Sequence, residues 1–130
     1  SMFTIEQIRQ AHAKVKSGAD FPYYMREIKA LGVLGYNAYV EDGRIDYFGA
    51  EGYTTSAPAR YDRLEIAGQS DIMQFRKDLK DHQQGLTDYL TFCRDCARSG
   101  VEKWIIDMDR MTCAYYDKVG NELLIENIPQ

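Results

Sequence analysis

Apolar residues recur along this chain first at helical and then at alternating spacing, and that change of period happens twice. Ile5, Ile8, His12 and Val15 fall on one helical face. Thr4 ahead of them reads as an N-cap, with Gln7 completing a capping box and Phe3 placed to staple onto Ile8. Gly18 is expected to stop that helix. Asp20 reads as the cap of a second helix, with Pro22 in its first turn and Phe21, Tyr24, Met25 and Ile28 along its apolar face. Gly32 ends it. Val33 to Val40 then alternates as a strand, Glu41-Asp42-Gly43 supplies a turn, and Arg44 to Phe48 returns as the hairpin partner. Gly49 to Arg63 reads as irregular, and Leu64 to Ile66 as a short strand.

The second passage runs the same way. Ser70 or Asp71 opens a third helix with Ile72, Phe75, Leu79 and His82 on one face and Gly85 at its end. Thr87 or Asp88 caps a fourth, striped by Tyr89, Phe92, Cys93 and Cys96 and stopped by Gly100. Strands are expected at about Glu102–Met108, Met111–Asp117 and Glu122–Asn127.

Aligning the two passages predicts an internal duplication. Ile5, Ile8, His12, Val15 and Gly18 match Ile72, Phe75, Leu79, His82 and Gly85 at constant spacing. After one inserted residue, Asp20, Tyr24 and Gly32 match Asp88, Phe92 and Gly100, and Tyr36, Ala38 and Val40 match Trp104, Ile106 and Met108. The expected fold is therefore α+β: a pseudo-twofold pair of helix-helix-β units, with a mostly antiparallel sheet and the helices packed on one face. Residues 1–130 are expected to form a single domain, with repeats at about 3–53 and 70–128 joined by the irregular segment. The competing explanation is that any two such segments look alike once their caps are aligned.

Composition narrows the function classes. Hydrophobic content of 45% and charged content of 28% are ordinary for a globular chain, and a formal charge of −4 without a basic stripe advertises no nucleic-acid surface. No apolar run approaches the roughly 20 residues of a membrane helix, and the N-terminus lacks a signal-peptide pattern, so a cytoplasmic location is the default expectation. Ser1 before Met2 reads as a cloning remnant. The 10 tyrosines are an excess, compatible with half-buried faces and with binding.

Candidate chemistry is sparse. Cys93-Arg94-Asp95-Cys96 could be a redox pair, or half a metal site completed by Cys113 and His82. The repeat argues otherwise: Cys93, Cys96 and Cys113 match Met25, Ile28 and Ile45, so each thiol occupies a position that the other copy fills with a plain hydrophobe. No metal site and no cofactor are expected. His12 matches Leu79 and His82 matches Val15, which reads as two histidines at the core rim. Alternatively both line a shared cleft as acid–base groups or ligands. Asp107 with Asp109, and Asp42 with Asp46, flank turns and serve local hydrogen bonding better than catalysis. Phosphate-loop, nucleophile-elbow and zincin signatures are absent, and no residue is assigned as catalytic. The segment Gly52 to Tyr61 clusters hydroxyls, tyrosines and an arginine without a counterpart in the other copy. Its Tyr53, Thr54, Thr55, Ser56, Arg60 and Tyr61, with His12 and His82, are the candidate ligand-binding set. The plain alternative is a solvated edge strand ended by Pro58.

Gly-Tyr-Thr-Thr-Ser-Ala-Pro-Ala at 52–59, His-Gln-Gln-Gly at 82–85, Thr-Asp-Tyr-Leu-Thr-Phe-Cys at 87–93, Gly-Val-Glu-Lys-Trp at 100–104 and Thr-Cys-Ala-Tyr-Tyr-Asp at 112–117 resemble the YdfO/YbcV-like family. These are small bacterial and prophage-borne proteins of unknown function, sometimes labelled "phage envelope protein". The resemblance covers the whole chain and implies a bacterial cytoplasmic protein of prophage origin. It brings no activity, cofactor or catalytic residue.

The residues together favour a non-enzymatic protein-interaction module, with a homodimer as one form of it. The first rival is a small-ligand binding protein whose pocket between sheet and helices is lined by Tyr53, Tyr61, His12 and His82. The second is an enzyme using the same cleft. A protein partner or a small ligand is expected, and neither nucleic acid nor membrane.

Overall fold

Thr4 opens the first helix as its pattern requires. Its hydroxyl accepts from the Gln7 N–H at 3.1 Å, and the Gln7 side chain accepts from the Thr4 N–H at 2.9 Å. The computed structural model describes residues 2–130, and Ser1, with the cloning remnant read there, lies outside them. Helix α1 spans Ile5–His12 and stops earlier than the apolar stripe implied. The reason is Asp20. Its carboxylate accepts from the Lys16 and Ser17 N–H groups and closes a single tight helical turn, Gly18–Asp20, ahead of α2 at Phe21–Leu31. Asp20 thus caps that turn and makes no side-chain cap on α2, which carries Pro22 in its first turn instead. Gly32 ends α2 at φ 108°, a left-handed conformation that glycine adopts without a Cβ penalty.

Strands β1 (Gly35–Tyr39) and β2 (Ile45–Phe48) form the expected hairpin. The segment read as irregular contains a third strand, β3 (Thr54–Ala57), paired antiparallel with β2. It is the edge strand ended by Pro58 that stood as the plain alternative for Gly52 to Tyr61, short and made mostly of polar residues. Leu64–Ile66 is not a strand: the chain there is a strap, with the Leu64 N–H donating to Glu41 and the Ala67 N–H to Ala97. Asp71 and Asp88 cap α3 (Ile72–Gln83) and α4 (Tyr89–Arg98) through the Gln74 and Thr91 N–H groups. Strands β4 (Lys103–Asp107), β5 (Thr112–Tyr116) and β6 (Glu122–Asn127) complete an α+β fold.

All strands pair antiparallel in the order β3-β2-β1-β4-β5-β6. Each half contributes two helices and a three-stranded meander, and the halves join at β1–β4. In that ladder Tyr36 pairs with Ile106, Asn37 with Ile105 and Ala38 with Trp104. The predicted repeat equates Tyr36 with Trp104 and Ala38 with Ile106, so the pairing is the exchange that a twofold axis at Asn37–Ile105 would produce.

The pleat sends Tyr36, Ala38, Tyr47, Trp104, Ile106, Cys113 and Tyr115 to the inner face, where all are buried. The helices cover that face, with Met25, Ile28, Phe75, Cys93 and Cys96 inaccessible beneath them. Met25, Ile28 and Phe75 each contribute about 1.5–3 kcal/mol on burial. The outer face carries Tyr39, Phe48, Ile105, Tyr116 and Ile125, all partly exposed. No helix among the described residues is long and apolar enough to cross a membrane.

Candidate functional site

The two helix pairs meet where Gly18 lies against α3. A Cβ added to Gly18 would stand 2.3 Å from the His82 carbonyl oxygen, so only glycine allows this approach. Between the pairs lies a cavity of about 1000 Å3. Tyr36, Tyr47, Trp104 and Tyr115 form its floor from the inner face of the sheet. Ile8, His12 and Tyr24 wall it on one side, and Leu79, His82 and Phe92 on the other. The floor is aromatic throughout: ring centroids are 5.3 Å apart for Tyr36–Tyr47, 5.7 Å for Phe92–Trp104 and 6.1 Å for Trp104–Tyr115. Cross-strand register produces this, because Tyr47 lies opposite Tyr36, and Tyr115 opposite Trp104.

Polar groups converge on the apolar body. Burial, followed by the neighbouring Tyr47 phenol, pushes the Tyr24 pKa up. Tyr47 is also raised by burial, although the neighbouring Tyr24 hydroxyl and the Arg60 charge oppose this. Both phenols therefore stay neutral at physiological pH. Arg60 sits at the rim, its guanidinium 4.9 Å from the centroid of the Tyr89 ring. His12 packs edge-on against Tyr24 at 5.2 Å; burial and then the Arg60 charge lower its pKa. His82 stacks on Phe92, and its Nδ1 lies 3.0 Å from the Thr87 carbonyl oxygen. A carbonyl can only accept, so Nδ1 carries the proton in neutral His82 and Nε2 keeps its lone pair. Burial is the largest influence on His82 and lowers its pKa.

The structure divides the candidate ligand set. His12, His82 and Arg60 all line the cavity. Tyr53 and Tyr61 do not line it. The Tyr53 hydroxyl donates to the Phe3 carbonyl at 2.8 Å, and that of Tyr61 to the Val40 carbonyl at 2.6 Å, so both act as struts. Thr54 and Ser56 point to the outer face of β3, where Ser56 donates to Asp46 across the strand pair. Thr55 is on the inner face opposite Tyr47 but is not part of the cavity wall. Reading the sequence missed Tyr24, Tyr36, Tyr47, Tyr89, Trp104 and Tyr115, all placed there as stripe or strand positions without a role. The available signal was the tyrosine excess combined with strand alternation.

The cysteines are buried in the core, as the repeat alignment predicted. Burial raises all three thiols, that of Cys113 to about 12. Among the described residues no group of three or more His, Cys, Asp or Glu is placed to hold a metal ion.

Residues 9–127 match the protein family of unknown function DUF1398. The chain belongs to this family. The DUF1398 match takes in every strand and every helix except the start of α1, and it includes His12, Arg60, His82 and Trp104. DUF1398 membership assigns no chemistry to the cleft. Among curated proteins none matches the chain.

Proposed function

We propose that this protein binds a small, largely apolar molecule in the cleft between the sheet and its two helix pairs. The observation that carries the reading is the cavity of about 1000 Å3, aromatic on its floor, with His12, His82, Arg60 and the phenols of Tyr24 and Tyr47 in its lining. Ligand sites typically measure about 300–1000 Å3 and combine an apolar lining with a few polar groups, which is the composition found here. This places ligand binding ahead of the interaction module favoured by composition. Catalysis in the same cleft has less support: neither histidine has a carboxylate partner among the described residues. We take the chain to act as one domain, since one sheet and one core run through both halves. The twofold exchange of register at Asn37–Ile105 supports its origin by duplication. The resemblance to YdfO/YbcV-like proteins supports a prophage-borne, cytoplasmic setting.

The test is titration with phenylnaphthylamine, a neutral dye that fluoresces on leaving water. Saturable, one-to-one enhancement on the folded protein is expected. Absence of saturable binding up to the solubility limit of the dye would overturn the reading.

A second reading, self-association, draws on the outer sheet face. There Ile125 is 49% exposed among Tyr39, Phe48, Ile105 and Tyr116, and no helix covers them. Sedimentation equilibrium is expected to give a dimer mass on this reading; a monomer mass at high protein concentration would remove it.

A further inference from the structure

Arg60 is a cation held in place without a carboxylate. Its N–H donates to the Asp42 carbonyl at 2.8 Å, fixing the chain just beyond β3. Its guanidinium lies over the Tyr89 ring, yet no carboxylate of the described residues comes within salt-bridge distance of it. A ring face supports the flat guanidinium and leaves its N–H edge open, the geometry that receives a carboxylate through two parallel hydrogen bonds.

Charges of both signs line the cavity. In a chain of net charge −4, the cavity lining holds Arg9, Lys16 and Arg60 against Asp88 and Glu126. Both of those carboxylates are engaged: Asp88 accepts from the Thr91 N–H at 2.8 Å, and Glu126 accepts from Gln83 at 3.0 Å. Arg9 is partnered by Glu6. Arg60 and Lys16 have no carboxylate partner among the described residues, and of the two Arg60 is the one held over an aromatic ring. The charge on Arg60 also reaches Tyr24 and Tyr47.

We infer that the ligand of this cleft is an amphiphile with one carboxylate head, anchored by Arg60 at the rim while its apolar body lies on the Trp104–Tyr115 floor. This deepens the ligand-binding reading above and rests on it. Decanoate and decanol share the chain and differ in the head, so they separate the two claims. Each is used to displace phenylnaphthylamine from the wild-type protein, from Arg60→Gln and from Arg60→Lys. The expected result is that Arg60→Gln weakens decanoate about tenfold more than it weakens decanol, as loss of a charge-assisted pair implies. Arg60→Lys is expected to recover part of the decanoate affinity. Equal loss for decanoate and decanol, or no loss for either, would overturn the carboxylate assignment and leave the apolar pocket standing. If the dye fails to bind the wild-type protein, the pocket reading itself falls, and this assignment with it.

Discussion

The His82 ring lies flat on the Phe92 ring, with centroids 4.5 Å apart and planes 8° from parallel. The same imidazole faces the Thr87 carbonyl, so α3, the connection to α4, and α4 itself converge on one side chain. This is the wall of the cleft nearest the Gly18 approach. Replacing His82 with Ala removes a stack and a hydrogen bond at once, a loss expected at roughly 1–3 kcal/mol in urea unfolding. His82→Gln keeps a donor for Thr87 and should lose less.

Stability should fall on mild acidification. His12 and His82 both have folded-state pKa values below the ordinary 6.5, burial being the first cause in each. Below pH 6.5 the unfolded chain therefore takes up protons that the native state refuses. Their contribution is fully present above 6.5, declines as the pH drops toward the folded-state values, and changes no further below them. Urea midpoints across this range should show the decline, and a His12→Gln, His82→Gln double variant should show a shallower one.

Gly18→Ala should be disproportionately costly. The new Cβ would stand 2.3 Å from the His82 carbonyl oxygen, a backbone atom that cannot swing away. Overpacking of this kind costs roughly 1–3 kcal/mol. Gly68→Ala meets nothing within 4 Å and provides the control, with a midpoint near that of wild type. Thermal melts of the two variants make the comparison.

The three thiols should label slowly in the native protein and quickly in denaturant. Burial both hides them and disfavours the reactive thiolate. A colourimetric disulfide reagent measures this; rapid native reaction at Cys93 or Cys96 would contradict the packing described.

Tyr61→Phe should separate strut from ligand contact. Losing the 2.6 Å bond to the Val40 carbonyl is expected to cost about 0.5–1.5 kcal/mol of stability. Dye affinity should stay unchanged, because Tyr61 does not line the cavity.

The helices and most strands were legible because caps and periods agree: Thr4 with Gln7, Asp71, Asp88 and Gly32 each mark a boundary the structure keeps. Asp20 misled because its carboxylate can serve a preceding tight turn as readily as the helix after it. β3 was legible only as an alternative, through Pro58 at its end, because Thr54 to Ala57 carry no apolar alternation to fix its bounds or its partner. The site was half legible. His12, His82 and Arg60 stood out as polar residues in unusual places. The tyrosine floor did not, since the convergence of Tyr36, Tyr47 and Tyr115 depends on register between strands distant in sequence. Tyr53 and Tyr61 looked like ligand contacts because nothing local revealed the Phe3 and Val40 carbonyls waiting for them.

Side-chain resonances of the aromatic residues, followed by NMR during titration with phenylnaphthylamine, read out the cleft directly. The single tryptophan gives one indole N–H signal, and that signal reports on the floor. Saturable shifts are expected for the Trp104 indole and the His12 and His82 rings, with Tyr39 and Tyr116 on the outer face unmoved. Shifts confined to Tyr39 and Tyr116, or none at all, would contradict a ligand site between the sheet and the helices.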